Sequence, residues 1–159
     1  MKAVKWLTTS DINAVLKDVP GFLGTYGIDY ANDPRAMSLV DPNGNDRSVV
    51  LNTDPSHEPG EHWFAVYVSP ARKSICVYDS MGDHPPRPVR DLVARLLAQN
   101  PGYRFYANRR RVQRMDGPCG YYAIDFIKTL STSQKPCTGY FGCKALNDKY
   151  VLRRYKFAK

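Results

Sequence analysis

Cys119 is the residue of this sequence best placed for covalent chemistry. It follows Gly117-Pro118 directly and stands at the start of a predicted buried helix, residues 119–130. The unpaired amides and the positive dipole end of a helix start favour a thiolate, and the same amides can donate to an oxyanion. The basic run Arg109–Arg114 lies just upstream and also favours the thiolate. These features indicate a nucleophile, and a small apolar residue packed at a helix start is the alternative interpretation.

A nucleophilic thiol needs a base, and the chain contains three histidines. His57 and His84 lie in turn-like segments rich in proline and acidic residues, which favours solvated surface positions. His62 instead opens an otherwise apolar predicted strand, residues 62–68, whose end can hold an imidazole rigidly. His62 is therefore the candidate general base, with a purely structural histidine as the alternative.

The imidazole also needs a partner that orients it and stabilises its charged form. Asp79 ends the next predicted strand, and hairpin pairing of the two strands brings its carboxylate within reach of His62. Asp83, in the loop that follows, is the weaker alternative. Gln113, six residues before the cysteine, is the candidate side-chain donor to an oxyanion, although a glutamine in a basic loop is commonly just solvated.

The elements that must position these residues follow from hydrophobic periodicity and turn signals. The predicted strands are residues 49–51, 62–68, 74–79 and 103–107. The predicted helices run from a Ser10 cap to Pro20-Gly21, over residues 89–97 and 119–130, and through the last 15 residues. Residues 27–47 are rich in Asp, Asn, Pro and Gly and are predicted as loops. Strands flanked by separate helices, with a central hairpin, indicate an α+β fold.

Length and composition favour one domain over residues 1–159, because 43% hydrophobic content supplies one sizeable core. No apolar run approaches the ~20 residues of a membrane span, and the first residues lack a secretory apolar segment. We therefore expect a soluble, intracellular protein with no membrane partner.

The four cysteines, without a signal peptide, favour reduced thiols over a disulfide framework. Cys137 and Cys143 are near enough in sequence to pair or share a metal, but their surroundings match no recognised zinc pattern. We expect a structural or incidental role for this pair and no metal site. Cys76 has no assigned role.

The net charge is +8, from 23 basic and 15 acidic residues. Basic clusters attract polyanions such as DNA, and a solvated basic surface is the equally good alternative. The clusters are Arg109, Arg110, Arg111 and Arg114, and then Lys149, Arg153, Arg154, Lys156 and Lys159. A non-enzymatic nucleic-acid-binding protein, with Cys119 as packing, is the rival class that these clusters support.

Four segments taken in order carry a specific family resemblance. They are Gly60-Glu61-His62-Trp63, Tyr78-Asp79-Ser80-Met81-Gly82, Gln113 with five residues after it, and Cys119-Gly120-Tyr121. Their order and spacing resemble the adenain-like cysteine proteases: the adenovirus maturation protease, relatives in Polinton-type elements and other DNA viruses, and more distantly the Ulp/SENP proteases. Phe22–Tyr26 also looks like the N-terminal segment of the adenovirus enzyme. The resemblance covers about Trp6 to Leu130.

The resemblance implies a papain-like fold, with helices packed around a central mixed sheet, and a role for each matching residue. Cys119 matches the nucleophile, His62 the general base, Asp79 the acidic third member and Gln113 the oxyanion-hole glutamine.

Three further residues are expected to bind substrate. Trp63 matches an aromatic that covers the channel for small substrate residues, and Trp6 is similar to the N-terminal tryptophan of the Ulp branch. Gly120, which has no side chain, is expected to let a substrate backbone approach closely. The resemblance implies cleavage near glycine, because a narrow channel excludes larger side chains.

The expected function is a monomeric viral maturation endopeptidase that cleaves capsid or core precursors in the virion and the host-cell nucleus. The alternatives are an isopeptidase for ubiquitin-like modifiers and an acyltransferase on the same scaffold, for which the sequence offers no acyl-CoA site. The chemistry requires no cofactor, although the resemblance suggests stimulation by a viral peptide or DNA. Because Tyr103–Val112 contains no cysteine, a disulfide-tethered peptide at that site is not expected.

Overall fold

The computed structural model describes residues 4–57, 61–132 and 144–157. The elements in chain order are α1 (Thr9–Leu16), β1 (Phe22–Tyr26), two 3-10 helices (Ile28–Asn32 and Pro34–Leu39), β2 (Arg47–Asn52), β3 (Trp63–Ser69), β4 (Ser74–Tyr78), α2 (Arg87–Gln99), β5 (Arg104–Ala107), α3 (Cys119–Thr132) and α4 (Lys144–Arg154). Among the helices described, none is long and apolar enough to cross a membrane.

The five strands form one mixed sheet in the order β1-β2-β3-β4-β5. The two outer pairs, β1–β2 and β4–β5, are parallel, whereas β2–β3 and β3–β4 are antiparallel. In the β3–β4 hairpin Ala65 pairs with Tyr78, so the start of β3 lies beside the end of β4. This register brings the residue before β3, His62, close to the residue after β4, Asp79. The α+β class with a central mixed sheet flanked by helices is confirmed.

Alternation along β3 divides the core between the two faces of the sheet. Phe64, Val66 and Val68 pack with α2 and the 3-10 helices, while Ala65 and Tyr67 face α1, α3 and α4. α3 is buried along most of its length, and the ring of its Phe126 stacks on Tyr78 of β4 at 4.4 Å between centroids. Packing on the sheet therefore fixes where α3 begins.

The N-terminal part of the chain differs from the sequence prediction in three places. Thr8, rather than Ser10, caps α1, and it forms a capping box with Asp11. β1 was not predicted, because the register shift between Phe22 and Thr25 and the glycine between them weaken the strand pattern. Two 3-10 helices occupy much of residues 27–47, predicted as loops, because short 3-10 turns lack the period of an α-helix.

Two other expectations concern the cysteines and the C-terminus. Cys76 is disulfide-bonded, which contradicts the reduced thiol expected for it. Cys137 and Cys143 lie outside the described residues. The predicted C-terminal helix is present as α4, which begins one residue early and ends at Arg154.

Candidate active site

Cys119 is the first residue of α3, and its free thiol is buried. The helix starts where the amide of Tyr122 donates to the carbonyl of Pro118, so the unpaired amides of the first turn surround the cysteine. The amide of Trp63, at the start of β3, donates to the sulfur at 3.5 Å. The sulfur therefore lies where the start of a helix meets the start of a central strand.

His62 connects the cysteine to an acidic partner. Its Nε2 lies 2.7 Å from Oδ1 of Asp79, which leaves Nδ1 as the ring nitrogen available to the Cys119 sulfur. Burial of the ring lowers the pKa of His62, but the hydrogen bonds to Asp79 and Cys119 outweigh burial and raise the pKa from 6.5 to about 10. The imidazole is therefore held in its charged form beside a nucleophilic sulfur.

Asp79 is buried directly after β4, and its backbone is held on both sides by Asn108. The Asp79 amide donates to Oδ1 of Asn108 at 2.8 Å, and Nδ2 of Asn108 donates to the Asp79 carbonyl at 2.5 Å. Asp83, the alternative acid, is exposed in the loop beyond. Sequence reasoning missed Asn108, although its place just after a strand parallel to β4 was a usable signal.

Gln113 is buried and joins this group through Ser80, the residue after the acid. The Ser80 hydroxyl donates to Oε1 of Gln113 at 2.5 Å, and Nε2 of Gln113 donates to the Met115 carbonyl at 2.7 Å. The Ser80 carbonyl also accepts from the amides of Val112 and Gln113. The orientation of the Gln113 amide is thus fixed, and Nε2 retains a second hydrogen for another acceptor.

The backbone at position 82 requires glycine for two reasons. It has a φ of +72°, and a Cβ at this position would lie 2.8 Å from backbone atoms of the neighbouring residues 109–111. Only glycine allows both the left-handed turn and this close approach. The turn that carries Asp79 and Ser80 therefore packs directly on the segment that leads to Gln113.

Trp63 and Trp6 line a groove of about 290 Å³, together with Leu7 and Glu61. The indole nitrogen of Trp63 donates to the Leu7 carbonyl at 2.9 Å, which ties the N-terminal segment to the site. Trp6 is 57% exposed. The structure thus brings both predicted tryptophans to one groove, and their contact with substrate stays a prediction.

Gly120 is buried, and its packing gives a reason for the glycine that the sequence did not show. A Cβ there would lie 3.2 Å from side-chain carbons of both Leu7 and Trp63. The missing side chain therefore makes room for these two side chains, and contact with a substrate backbone stays a prediction.

The four arginines predicted to contact nucleic acid fall into two groups. Arg109, Arg110 and Arg114 are exposed. Arg111 is half-buried, and its guanidinium donates to the carbonyls of Gln113 and Arg114 at 2.8 and 3.1 Å. Arg111 therefore also holds the loop around Gln113, and nucleic-acid contact stays a prediction for all four.

A mixed sheet that brings a histidine–aspartate pair to a cysteine at a helix start is the architecture of the papain-like cysteine proteases of the adenain/Ulp type. The chain belongs to the Ulp1 protease family, because residues 49–154 match the model of its C-terminal catalytic domain. The recognition made from sequence is confirmed at this level.

Two relatives are viral proteins. The chain is 24% identical to a mimivirus protein from Acanthamoeba polyphaga mimivirus named as a thiol protease, over 79% of this chain and 48% of the relative. It is 33% identical to a cysteine protease of African swine fever virus, over 53% of this chain and 33% of the relative. This chain thus spans half or less of the length of each.

Solved structures share the fold. The African swine fever virus protease superposes with a TM-score of 0.63 at 23% identity, covering 79% of this chain and 57% of that one. The C-terminal protease domain of Ulp1, solved in complex with Smt3, the yeast ortholog of SUMO, superposes with a TM-score of 0.60 at 14% identity. That match covers 94% of this chain and 74% of the Ulp1 chain.

Proposed function

We propose that this protein is a cysteine endopeptidase in which Cys119 attacks a peptide carbonyl. The observation that carries the proposal is that one strand end holds both partners of the pair beside the cysteine: His62 Nε2 lies 2.7 Å from Asp79, and the amide of Trp63, the next residue, donates to the Cys119 sulfur at 3.5 Å. The charged ring of His62 and the amides of the helix start both stabilise negative charge beside them during the reaction.

The acylation half of the reaction uses the imidazolium–thiolate pair. The Cys119 sulfur forms a bond to the carbonyl carbon, and the carbonyl electron pair moves to oxygen. Nε2 of Gln113 and the Cys119 amide are the donors for this oxyanion. When the intermediate collapses, the C–N bond breaks and Nδ1 of His62 gives its proton to the departing amine.

The deacylation half returns every group to its starting state. Neutral His62 takes a proton from water as the water oxygen bonds to the acyl carbon. The C–S bond then breaks, which releases a carboxylic acid and restores the thiolate beside an imidazolium. Asp79 orients the ring throughout. No cofactor takes part in either half.

The substrates we favour are viral capsid or core precursors cut near glycine. Two viral proteases among the relatives support a viral role. Glycine near the cut is what the resemblance to the adenain-like proteases implies, because a narrow channel excludes larger side chains. We place the enzyme, as a monomer, in the virion and the host-cell nucleus.

A ubiquitin-like-protein isopeptidase is the second candidate. Its support is the fold shared with the Ulp1 domain that was solved with Smt3. The chemistry at Cys119 would be the same, and only the surface that holds the modifier would differ.

Stimulation by DNA or by a non-covalently bound viral peptide is part of the proposal. The exposed side chains of Arg109, Arg110 and Arg114 support a polyanion partner, because they concentrate positive charge just before the nucleophile. Any such stimulator acts on an enzyme whose chemistry is complete without it.

The test compares wild type and Cys119→Ala on two substrate sets. One set is the structural proteins of the same genome, with and without double-stranded DNA. The other is ubiquitin and SUMO, each linked at its C-terminus to aminomethylcoumarin. We expect mass spectrometry to show wild-type cuts near glycine in the structural proteins and none with the alanine variant. Efficient release from the modifiers alone would select the isopeptidase, and equal cleavage by both proteins would refute the peptidase.

A further inference from the structure

The loop of residues 112–115 carries Gln113, and the helix α4 supplies a buried carboxylate to it. Asp148 is 4% exposed. Its Oδ2 accepts from the amides of Arg114 and Met115 at 3.1 and 2.9 Å. Its Oδ1 accepts from the Tyr122 hydroxyl at 2.6 Å. One side chain therefore joins the loop, α3 and α4.

Asn147, the neighbour of Asp148, holds the other end of the same loop. Its Nδ2 donates to the Val112 carbonyl at 3.1 Å, and the Tyr122 hydroxyl lies 3.3 Å from the same oxygen. Asn147 is also buried. Two consecutive residues of α4 thus bind the first residue of the loop and its last two.

These contacts act directly on the part of the loop that orients the Gln113 amide. Nε2 of Gln113 donates to the carbonyl of Met115, and the amide of Met115 is one of the two bound by Asp148. A carboxylate is well suited to this task, since charge-assisted hydrogen bonds are stronger and shorter than neutral ones. Loss of Asp148 would free the residue on which Gln113 rests.

We propose that Asp148, assisted by Asn147, is a positioning residue for the oxyanion donor, so that α4 is part of the catalytic apparatus. The inference rests on the proposed function, in which Nε2 of Gln113 binds the oxyanion. It assigns to the C-terminal helix a task that neither the sequence motifs nor the histidine–aspartate pair reveals.

The chain contains a matched control in Asp125, a second buried carboxylate that docks the same helix. Its Oδ1 accepts from the Tyr155 hydroxyl at 2.6 Å and lies 3.4 Å from Nε of Arg154. These partners lie at the far end of α4 from Asp148. Asp125→Asn therefore weakens the docking of α4, whereas Asp148→Asn also replaces an acceptor of loop amides by an amide group.

The experiment measures three reactions of Cys119 in full-length wild type, Asp148→Asn and Asp125→Asn. Alkylation by iodoacetamide reports the thiolate and forms no oxyanion. Reversible inhibition by a peptide aldehyde ending in Gly-Gly forms a hemithioacetal, whose oxygen occupies the oxyanion position. Turnover of the matching Gly-Gly-aminomethylcoumarin peptide gives kcat and KM.

For Asp148→Asn we expect about a 10-fold loss of aldehyde affinity and of kcat, with the alkylation rate and KM within about twofold of wild type. For Asp125→Asn we expect all four values within about twofold, even where thermal stability falls. Equal losses in the two variants, or unchanged aldehyde affinity in Asp148→Asn, would overturn the proposal.

Two additions keep the result interpretable. If Asp148→Asn does not fold, Asn147→Ala is measured instead. It must then show a smaller loss of aldehyde affinity, again with an alkylation rate near that of wild type. His62→Ala tests the proposed function separately: an unchanged alkylation rate there would refute the thiolate pair. Slowed alkylation in His62→Ala, together with identical behaviour of the two Asp variants, would refute only the role of Asp148.

Discussion

The histidine–aspartate pair and the loop of residues 112–115 serve one candidate centre, but different forces hold them. His62 and Asp79 flank two central strands, whose backbone ladder continues to Ser69 and Ser74. The loop has no ladder, and most of its backbone groups are bound by side chains. Those side chains belong to Arg111, Tyr122, Asn147 and Asp148, and the Ser80 carbonyl accepts from the amides of Val112 and Gln113.

The difference matters because a backbone ladder survives most substitutions, whereas a loop held by side chains loses a contact with each one. Substitutions near the pair should therefore act on the charge of the imidazole. Substitutions around the loop should act on the oxyanion and leave the thiolate intact. Each of the following variants tests whether the two parts of the site act on these different properties.

Gln113→Ala should have the largest effect of the loop variants. It removes the side-chain donor to the oxyanion, and loss of one such donor costs roughly 10²–10³ in kcat. Steady-state kinetics should show this loss while the rate of iodoacetamide alkylation stays near wild type. An equal fall in the alkylation rate would show that Gln113 also supports the thiolate, so that the loop and the histidine–aspartate pair would no longer differ in role.

Asp79→Asn should lower kcat/KM by about 10²-fold and move its pH dependence. Asp79 and Cys119 raise the pKa of His62 to about 10, so in wild type the alkaline limb should fall near pH 10. Without the carboxylate the pKa of His62 drops, and the alkaline limb should move to lower pH. An unmoved limb in the variant would show that Asp79 does not set the charge of the ring.

The same pKa shift has a consequence for stability. Because the folded pKa of His62 lies above its ordinary value of 6.5, the pair stabilises the fold fully below about pH 6.5 and loses this stabilisation as pH rises through about 10. The difference in unfolding free energy between wild type and Asp79→Asn should therefore shrink from pH 6 to pH 10. Urea unfolding across that range measures it.

Ser80→Ala should have a smaller effect than Gln113→Ala, on the order of 10-fold in kcat, because it frees the Gln113 amide without removing it. Ser80→Thr retains the hydroxyl and serves as the control. We expect weaker binding of a peptide aldehyde and an unchanged alkylation rate in the alanine variant. Full activity in Ser80→Ala would mean that Met115 alone orients the glutamine.

Leu51→Ala should leave kcat of the folded protein nearly unchanged. Leu51 is fully buried on the α2 face of the sheet, and such truncations cost about 2–5 kcal/mol of unfolding free energy. Urea unfolding should detect that loss, while kinetics at low temperature should match wild type. A lowered kcat would show that the sheet transmits packing changes to the centre.

Sequence patterns predicted the positions of His62 and Asp79 better than the contacts of the loop of residues 112–115. Period-two alternation and a hairpin signal placed His62 and Asp79 at adjacent strand ends, because strand pairing converts a short sequence separation into contact. The loop side depends on α4, which follows more than 30 residues after Gln113. No local pattern relates Asp148 to amides so distant in the chain, so that contact could not be predicted.

Gly120 shows the same limit at a single residue. The sequence indicates that position 120 needs a small residue. It does not show which side chain fills the space, since Leu7 is more than a hundred residues away in sequence. The reason for Gly82 could not be predicted from sequence either, because the close approach of residues 109–111 arises only when β5 pairs with β4.

By itself, the sequence determined the fold class, the order of the central elements, and the residue types and spacing of Cys119, His62, Asp79 and Gln113. Those features depend on short stretches of sequence. The β3–β4 hairpin brings His62 to Asp79, and the start of α3 places Cys119. Tertiary structure alone decided which side chains hold the catalytic groups: Asn108 for Asp79, Ser80 for Gln113, and Asp148 for the loop. The reason is that a hydrogen bond between distant segments depends on packing geometry, which sequence periodicity does not encode.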